Sequence, residues 1–261
     1  MSSPELFMSS LGTLAWSHHT GGNLDTCDRL RLGGQLLLVR LARLSGAARR
    51  ALGLSDSSLS TVSGADFSLP ESADARRALD HARHLLPGWL LEHSLRTFLW
   101  GRLLGRGRGI ATDGELLFVA AVLHDLALTE ARHCCVGLGC FAARGAKDAG
   151  AFAQTMGWLP ERRQRLEDAI SLHLNVRVPL QAGAEAHLLH DGAALDCIGA
   201  GLEELPPGAA ASVLARHPRQ DFKQRANAAF EAQSFANPAS RIAYLMQLGF
   251  ARRVGTAPFP E

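Results

Sequence analysis

Apolar residues recur at helical spacing along most of this chain, in blocks that end at glycine, proline or capping residues. No block shows the alternation of β-branched and polar residues that is typical of strands, and no internal repeat is visible. The pattern therefore predicts an all-α fold. Its helices are expected over residues 27–54, 74–86, 89–104, 112–125, 147–156, 160–173, 184–198, 221–231 and 238–248.

The first predicted helix is basic and amphipathic. Four leucines share one side of it: Leu37, Leu38, Leu41 and Leu44. We expect that side to cover the main core; the alternative is that it binds a membrane surface or a partner protein. Residues 55–70 are rich in serine, aspartate and glycine and indicate a linker or long loop. The predicted organisation is an N-terminal helical extension over residues 1–65 and a helical domain over residues 66–261.

The composition suits one globular domain with or without a small extension, because 47% of the 261 residues are hydrophobic and 20% are charged. A formal net charge of +2 is too small for the basic stripe of a nucleic-acid-binding protein. The five cysteines show no disulfide framework, so we expect reduced thiols and a cytoplasmic location. No secretory signal pattern is visible, and no apolar run approaches the roughly 20 residues that span a bilayer.

The strongest candidate for chemistry lies at the end of a long apolar run, where His124 and Asp125 are adjacent. A buried imidazole or carboxylate is costly unless it is paired, hydrogen-bonded or bound to a cation. His93, His173 and Asp196 also lie on apolar stripes of other predicted helices. Such side chains on several helices predict a shared metal centre, and their nitrogen and oxygen atoms suit Zn²⁺, Fe²⁺, Mn²⁺ or Co²⁺.

Four segments of the chain resemble the HD-domain superfamily of metal-dependent hydrolases, an all-helical fold, and more closely its cyanamide hydratase-like branch. They are HSLRTF at 93–98, LHDLALT at 123–129, AISLH at 169–173 and GAALDCIG at 192–199. The C-terminal LGF at 248–250 and APF at 257–259 resemble the same branch. The resemblance begins at about residue 69, so the domain over residues 66–261 is expected to be an HD domain.

The resemblance implies a cofactor and a site. The cofactor is one divalent transition metal, zinc or iron, and its ligands are expected to be His93, His124, Asp125 and Asp196. The catalytic residues are expected to be Asp125, His173, Thr129 and Arg96. His173 would face the open side of the metal, and it or Asp125 would take a proton from metal-bound water. Thr129 and Arg96 would shape the pocket, although Arg96 has the alternative of supporting Asp125 or a helix C-terminus.

The function that the resemblance implies is hydration or hydrolysis of a small nitrile-like or amide-like molecule by metal-bound hydroxide. An HD-type phosphohydrolase or nucleotidase is the alternative enzyme, and a non-catalytic HD module that binds a ligand is a third reading. Glu130 is the only acid close after the His-Asp pair, which disfavours the phosphohydrolase. The expected partner is a small molecule, with no nucleic acid and no integral membrane segment. A homo-oligomer is compatible with the sequence.

Three further groups have polar or reactive side chains. His187, His190 and Asp191 share one predicted helix and are interpreted as spare ligands, with a second metal less favoured. The cysteines at 134, 135 and 140 do not have the spacing of a zinc knuckle, so we expect them to line or close the pocket. Arg144 and Lys147 are interpreted as solvated charges, with contact to an anionic or carbonyl-bearing substrate as the alternative.

Overall fold

In a computed structural model, residues 10–51, 64–129 and 139–261 are described, and these residues form twelve α-helices and no β-strand. The prediction of an all-α fold is confirmed. The helices are α1 (Leu14–Thr20), α2 (Thr26–Ala51), α3 (Ala73–Leu85), α4 (Gly88–Gly107), α5 (Gly114–Leu123), α6 (Phe141–Thr155), α7 (Pro160–Leu172), α8 (Ala184–Ile198), α9 (Ala209–Arg216), α10 (Phe222–Ala236), α11 (Arg241–Gln247) and α12 (Phe250–Gly255). No helix among the described residues is long and apolar enough to cross a membrane.

Local chemistry explains most helix boundaries. Asp113 caps α5 by accepting a hydrogen bond from the backbone N–H of Leu116, and Pro160 opens α7 at the position where its missing N–H costs nothing. The helix predicted over residues 238–248 begins later than expected, at Arg241. Its N-cap is Ser240, whose side chain accepts a hydrogen bond from the N–H of Ala243. The helix predicted from residue 147 begins at Phe141, and three helices were not predicted: α1, α9 and α12.

Helices α4 and α8 cross at the centre of the fold, and two glycines permit their close approach. A Cβ atom on Gly101 would lie 2.7 Å from the carbonyl oxygen of Leu188, and one on Gly192 would lie 3.0 Å from the backbone nitrogen of Gly101. Real Cβ atoms do not tolerate such distances to backbone. The glycines therefore allow His93 on α4 to face Asp196 on α8.

Helix α5 is the most deeply buried element. Every residue from Leu116 to Leu123 is buried, and the helix is apolar on all sides, as expected for a helix surrounded by others. It contacts α3, α4, α6, α7 and α8. The helix ends at Leu123, so His124 and Asp125 begin a turn inside the protein rather than at its surface.

The N-terminal segment is bound to the rest of the molecule. The carbonyl oxygen of Gly12 accepts a 2.7 Å hydrogen bond from Ser171, and that of Leu11 accepts one of 2.9 Å from Asn175. The N–H of Leu24 donates to Ala239 at 2.8 Å. The predicted boundary at residue 65 therefore does not separate residues 10–24 from the main body.

Helix α2 has leucines on two opposite sides. Leu32 is buried, and Leu36 and Val39 are half-buried on the same stripe. Leu30, Leu37, Leu38 and Leu41 are between 53% and 72% exposed. The prediction that the side with Leu37, Leu38 and Leu41 covers the core is therefore wrong, and the side chain of Leu44 lies outside the described residues.

Candidate metal centre

Three helices bring four polar side chains to one buried place. His93 lies in the middle of α4, while His124 and Asp125 are the first residues after α5 and His173 is the first residue after α7. Each of the four residues is at least 93% buried. The distances between them show that the four side chains lie together.

The atoms that can bind a cation converge. Asp125 Oδ2 lies 3.2 Å from His124 Nε2 and 3.6 Å from His93 Nε2, and Asp125 Oδ1 lies 3.6 Å from His173 Nε2. The ligand atoms of His93, His124 and Asp125 all lie within 4.8 Å of one another. His173 contacts this group from the side of Asp125, and its ring is 4.8 Å from that of His124.

Hydrogen bonds at the other ring nitrogen fix which atom each histidine presents. His124 Nδ1 lies 2.7 Å from the carbonyl oxygen of Ala121, and His173 Nδ1 lies 2.6 Å from that of Ile170. A carbonyl can only accept, so both Nδ1 atoms carry the proton and both Nε2 atoms present a lone pair. His124 Nε2 and Asp125 Oδ1 are buried, and neither has a hydrogen-bond partner among the described residues. Lone pairs and a carboxylate that face one another repel unless a proton or a cation lies between them, so the residues fit a divalent metal.

The pKa shifts follow from burial and from Asp125. Burial lowers the pKa of His173 to about 3, helped by the charge of His124, and lowers the pKa of His93 against the opposing effect of Asp196. Burial also disfavours charge on His124, but the adjacent Asp125 carboxylate outweighs it and raises the pKa of His124. For Asp125, burial is outweighed by the histidines, chiefly His124, and its pKa lies well below its usual range. Asp125 is therefore an anion, and His173 is neutral at neutral pH.

Asp196 does not lie with the ligands. Its Oδ2 atom is 2.7 Å from His93 Nδ1, on the far side of that imidazole from Asp125. Arg96 donates to both of its oxygens at 2.8 and 2.9 Å, and Trp100 Nε1 donates to Oδ1 at 2.9 Å. The prediction that Asp196 is a fourth ligand does not match this geometry, because its lone pairs are already taken. Asp196 instead orients His93, as carboxylates behind metal-binding histidines commonly do.

Arg96 is a buried partner of Asp196 rather than a pocket residue. Its Nη1 also donates to the carbonyl oxygens of His217 and Pro218, at 3.2 and 2.8 Å. Burial would raise the pKa of the Asp196 carboxyl, but Arg96 and His93 hold it well below its usual range. The expectation that Arg96 shapes the pocket is wrong, since it does not line the cavity at the site. The alternative expectation was that Arg96 supports Asp125, but it supports Asp196 instead.

Trp100 and Arg219 also support Asp196, and sequence reasoning did not include them. Arg219 Nη1 lies 3.2 Å from the carbonyl oxygen of Asp196 and 3.4 Å from its Oδ1. Trp100 had a usable signal, because it follows His93 by seven residues and Arg96 by four, on the same stripe of α4. Arg219 lies in a loop and had no such signal.

A cavity of about 640 Å³ reaches the histidines. His93, His124, Asp125 and His173 form its buried end, and exposed residues such as Arg177 and Leu180 mark its opening. Thr129 is not among the described residues that line it, so the structure does not support its expected role in the pocket.

Two polar side chains hold the turn that follows Asp125. Arg144 Nη2 donates to Gln233 Oε1 at 2.9 Å, and Gln233 Nε2 donates to the carbonyl oxygens of Ala127 and Leu128 at 3.2 and 3.0 Å. Arg144 is 8% exposed. It is therefore neither a solvated charge nor a substrate contact, and it stabilises the backbone beside the metal ligands.

The spare histidines have partners of their own. His190 Nδ1 donates to the carbonyl oxygen of His173 at 2.9 Å, so it supports that residue's backbone. Arg108 Nη1 contacts His187 Nε2 at 3.2 Å and Asp191 Oδ2 at 2.5 Å, which places a cationic side chain where a second metal would need to bind. Cys140 is buried beside Arg241 and does not line the cavity. The cysteines at 134 and 135 lie outside the described residues.

Compared with models of known protein families and with curated protein sequences, the chain shows no significant match. The resemblance to HD domains therefore depends on the four sequence motifs at 93–98, 123–129, 169–173 and 192–199 and on the short C-terminal segments. The fold and the site define an all-α protein with a buried cluster of histidines and a carboxylate that could hold a metal ion.

Proposed function

We propose that this chain is a metal-dependent hydrolase or hydratase of the HD-domain type. The observation that carries the proposal is the convergence of three imidazole Nε2 atoms on one carboxylate at the buried end of a cavity. His93, His124 and Asp125 would hold the metal. His173 lies beside Asp125, where it can contact the substrate. Zinc or iron suits this donor set, as do manganese and cobalt.

A divalent cation held by these residues would supply Lewis acidity and would lower the pKa of a coordinated water far enough to make hydroxide available near neutral pH. Asp125 Oδ1 faces His173 Nε2 at 3.6 Å, so the pair can pass a proton between the water and the substrate. Adding water across a C≡N bond forms a C–O bond and transfers a proton to nitrogen.

The arginines near the metal ligands support a neutral substrate over a phosphate ester. Arg96 donates its hydrogen bonds to Asp196 and to two carbonyl oxygens, and Arg144 donates to Gln233. A phosphohydrolase normally places an arginine or lysine against the phosphate. We therefore propose a small nitrile-like or amide-like group as the reacting part of the substrate.

Metal content and turnover test this proposal. Protein purified without chelator should contain about one equivalent of zinc or iron, and His124→Ala should lose it. His187→Ala is the matched control, since His187 lines the same cavity outside the cluster and should leave the metal in place. Loaded protein should hydrate cyanamide or hydrolyse primary amides.

Two results would overturn the proposal. Turnover of nucleoside monophosphates alone would replace it with the phosphohydrolase alternative. If the purified wild type contains no metal and is as stable as His124→Ala, the proposal would be replaced by the alternative of a non-catalytic module that binds a ligand.

A further inference from the structure

The cavity is much larger than the reacting group that the metal centre requires. Cyanamide has three atoms besides hydrogen, and it would fill about a seventh of 640 Å³ if a water-sized group takes about 30 Å³. Cavities of about 300–1,000 Å³ ordinarily hold molecules of the size of a drug. The rest of the cavity therefore has room for a much larger ligand than cyanamide.

Part of the cavity wall comes from the N-terminal helix α2. Leu36 and Val39 line the cavity, and Leu32 on the same stripe packs with Trp16 and Leu24, which fixes the helix on the body. Val176 packs against that small cluster and also lines the cavity. Helix α2 and the segment 174–180 thus form neighbouring walls between the metal centre and solvent.

The segment that follows His173 presents mainly apolar side chains. Leu174, Val176, Val178 and Leu180 all line the cavity. Four residues from four other helices also line it: Phe141, Phe230, Leu245 and Phe250. An apolar surface of this extent favours carbon-rich ligands, because burying a methylene contributes about 0.8 kcal/mol.

One arginine near the opening, Arg108, is neutralised by carboxylates. Arg108 lies 2.8 Å from Glu204 Oε2 and 2.5 Å from Asp191 Oδ2, and it also contacts His187. A guanidinium held by two carboxylates is a poor binding site for an anion. Arg108 therefore provides polar contacts at the rim without selecting an anionic tail.

We infer that the substrate carries an apolar body, aliphatic or aromatic, which lies between helix α2 and the segment 174–180 while its polar reacting group reaches the histidines. This inference rests on the proposed function for the reacting end only. The apolar wall requires that Leu36 and Val39 act as specificity residues, although they belong to the N-terminal segment and not to the part of the chain that resembles HD domains.

A series of n-alkyl hydroxamates, from acetohydroxamate to octanohydroxamate, tests the inference on full-length zinc-loaded protein. The hydroxamate head binds the metal, and only the chain length varies. Isothermal titration should show Kd falling about three- to fourfold for each added methylene until the cavity is filled. A Kd that does not change along the series would overturn the inference.

A pair of variants on one helix locates the alkyl chain. Leu36→Ser should weaken octanohydroxamate binding about tenfold or more and leave acetohydroxamate unchanged, whereas Leu38→Ser should change neither, because Leu38 is exposed on the other side of α2. Equal losses in the two variants would contradict the placement. Thermal unfolding shows whether Leu36→Ser is folded, and the wild-type series decides the question without any variant.

The two proposals fail in distinguishable ways. If acetohydroxamate binds only zinc-loaded protein but longer chains bind no better, the metal proposal stands and the apolar-body inference falls. If 1-alkanols bind more tightly with length while zinc has no effect on any hydroxamate, the inference stands and the metal proposal falls.

Discussion

His93 and Asp196 are joined by a 2.7 Å hydrogen bond between Nδ1 and Oδ2, across the crossing of α4 and α8. This hydrogen bond fixes the orientation of both side chains. It leaves His93 Nε2 as the atom that faces Asp125, and it turns the Asp196 carboxylate away from the other ligand atoms. The centre is therefore rich in histidine, with one carboxylate.

The coordination of bound zinc checks this assignment. X-ray absorption on zinc-loaded protein should show at least two imidazoles and a single protein carboxylate. Asp196→Asn should keep zinc but bind it about 10–100-fold more weakly, since supporting residues of this kind have effects of that size. Asp191→Asn, on the same helix, should leave zinc affinity unchanged. Complete loss of zinc in Asp196→Asn, with a second carboxylate in the wild-type spectrum, would make Asp196 a ligand.

Arg96 and Asp196 should be strongly coupled in stability. Arg96→Met leaves a buried carboxylate without its main partner and should cost about 3–5 kcal/mol in the free energy of unfolding. Asp196→Asn leaves the guanidinium unpaired and should also be costly. The double variant should lose less than the sum of the two single losses in urea unfolding. Strict additivity would mean that the ion pair contributes nothing.

The glycine contact between α4 and α8 should resist substitution. Gly192→Ala places a methyl group against the backbone of Gly101 and should lower the free energy of unfolding by about 1–3 kcal/mol. Zinc affinity should fall as well, because the crossing positions His93. Gly34→Ala in α2 is the control: no atom lies within 4 Å of its added methyl, and it should stabilise the protein by up to about 1 kcal/mol. Equal effects at the two sites would contradict the packing argument.

Asp168 should make stability depend on pH in an unusual direction. Burial raises its pKa above the unfolded value, partly offset by the N–H of Leu14. Charging Asp168 therefore lowers the free energy of unfolding. This loss is complete above the pKa of the folded state and disappears as the pH falls below the unfolded pKa of about 3.9. Asp168→Asn should raise the thermal midpoint at pH 7, and this gain should shrink as the solution is acidified.

The exposed Asp80 provides the control for that measurement, since Asp80→Asn should change the midpoint little at either pH. An Asp168→Asn variant that is less stable than wild type at pH 7 would show that the carboxylate is needed there as an anion.

Much of the site was predictable because helical spacing determines which side chains face inward. His93, His124 and His173 continue apolar stripes, Asp125 is adjacent to His124 in the sequence, and the structure brings all four together. The orientation of Asp196 was not predictable in this way. It depends on partners about 100 residues earlier in the chain, and a stripe shows only that a side chain is buried, not which atoms it contacts.

Helix α2 shows a second limit of the pattern. Its many leucines produce two possible apolar sides, and the longer set, with Leu37, Leu38 and Leu41, is the exposed one. The side that packs contains Leu32, which contacts Trp16 and Leu24 from the same N-terminal segment. Amphipathicity alone cannot distinguish the two sides without those neighbours.

Gly12 is held by Ser171, and Arg241 binds both the carbonyl oxygen of Ser171 and the side chain of Asn175, on either side of His173. Removing the residues before 66 would therefore remove the hydrogen bonds that Gly12 and Leu11 make on either side of His173, together with the part of the cavity wall that α2 forms. A shortened chain that keeps these contacts beside His173 has to include the residues from Leu11 onward.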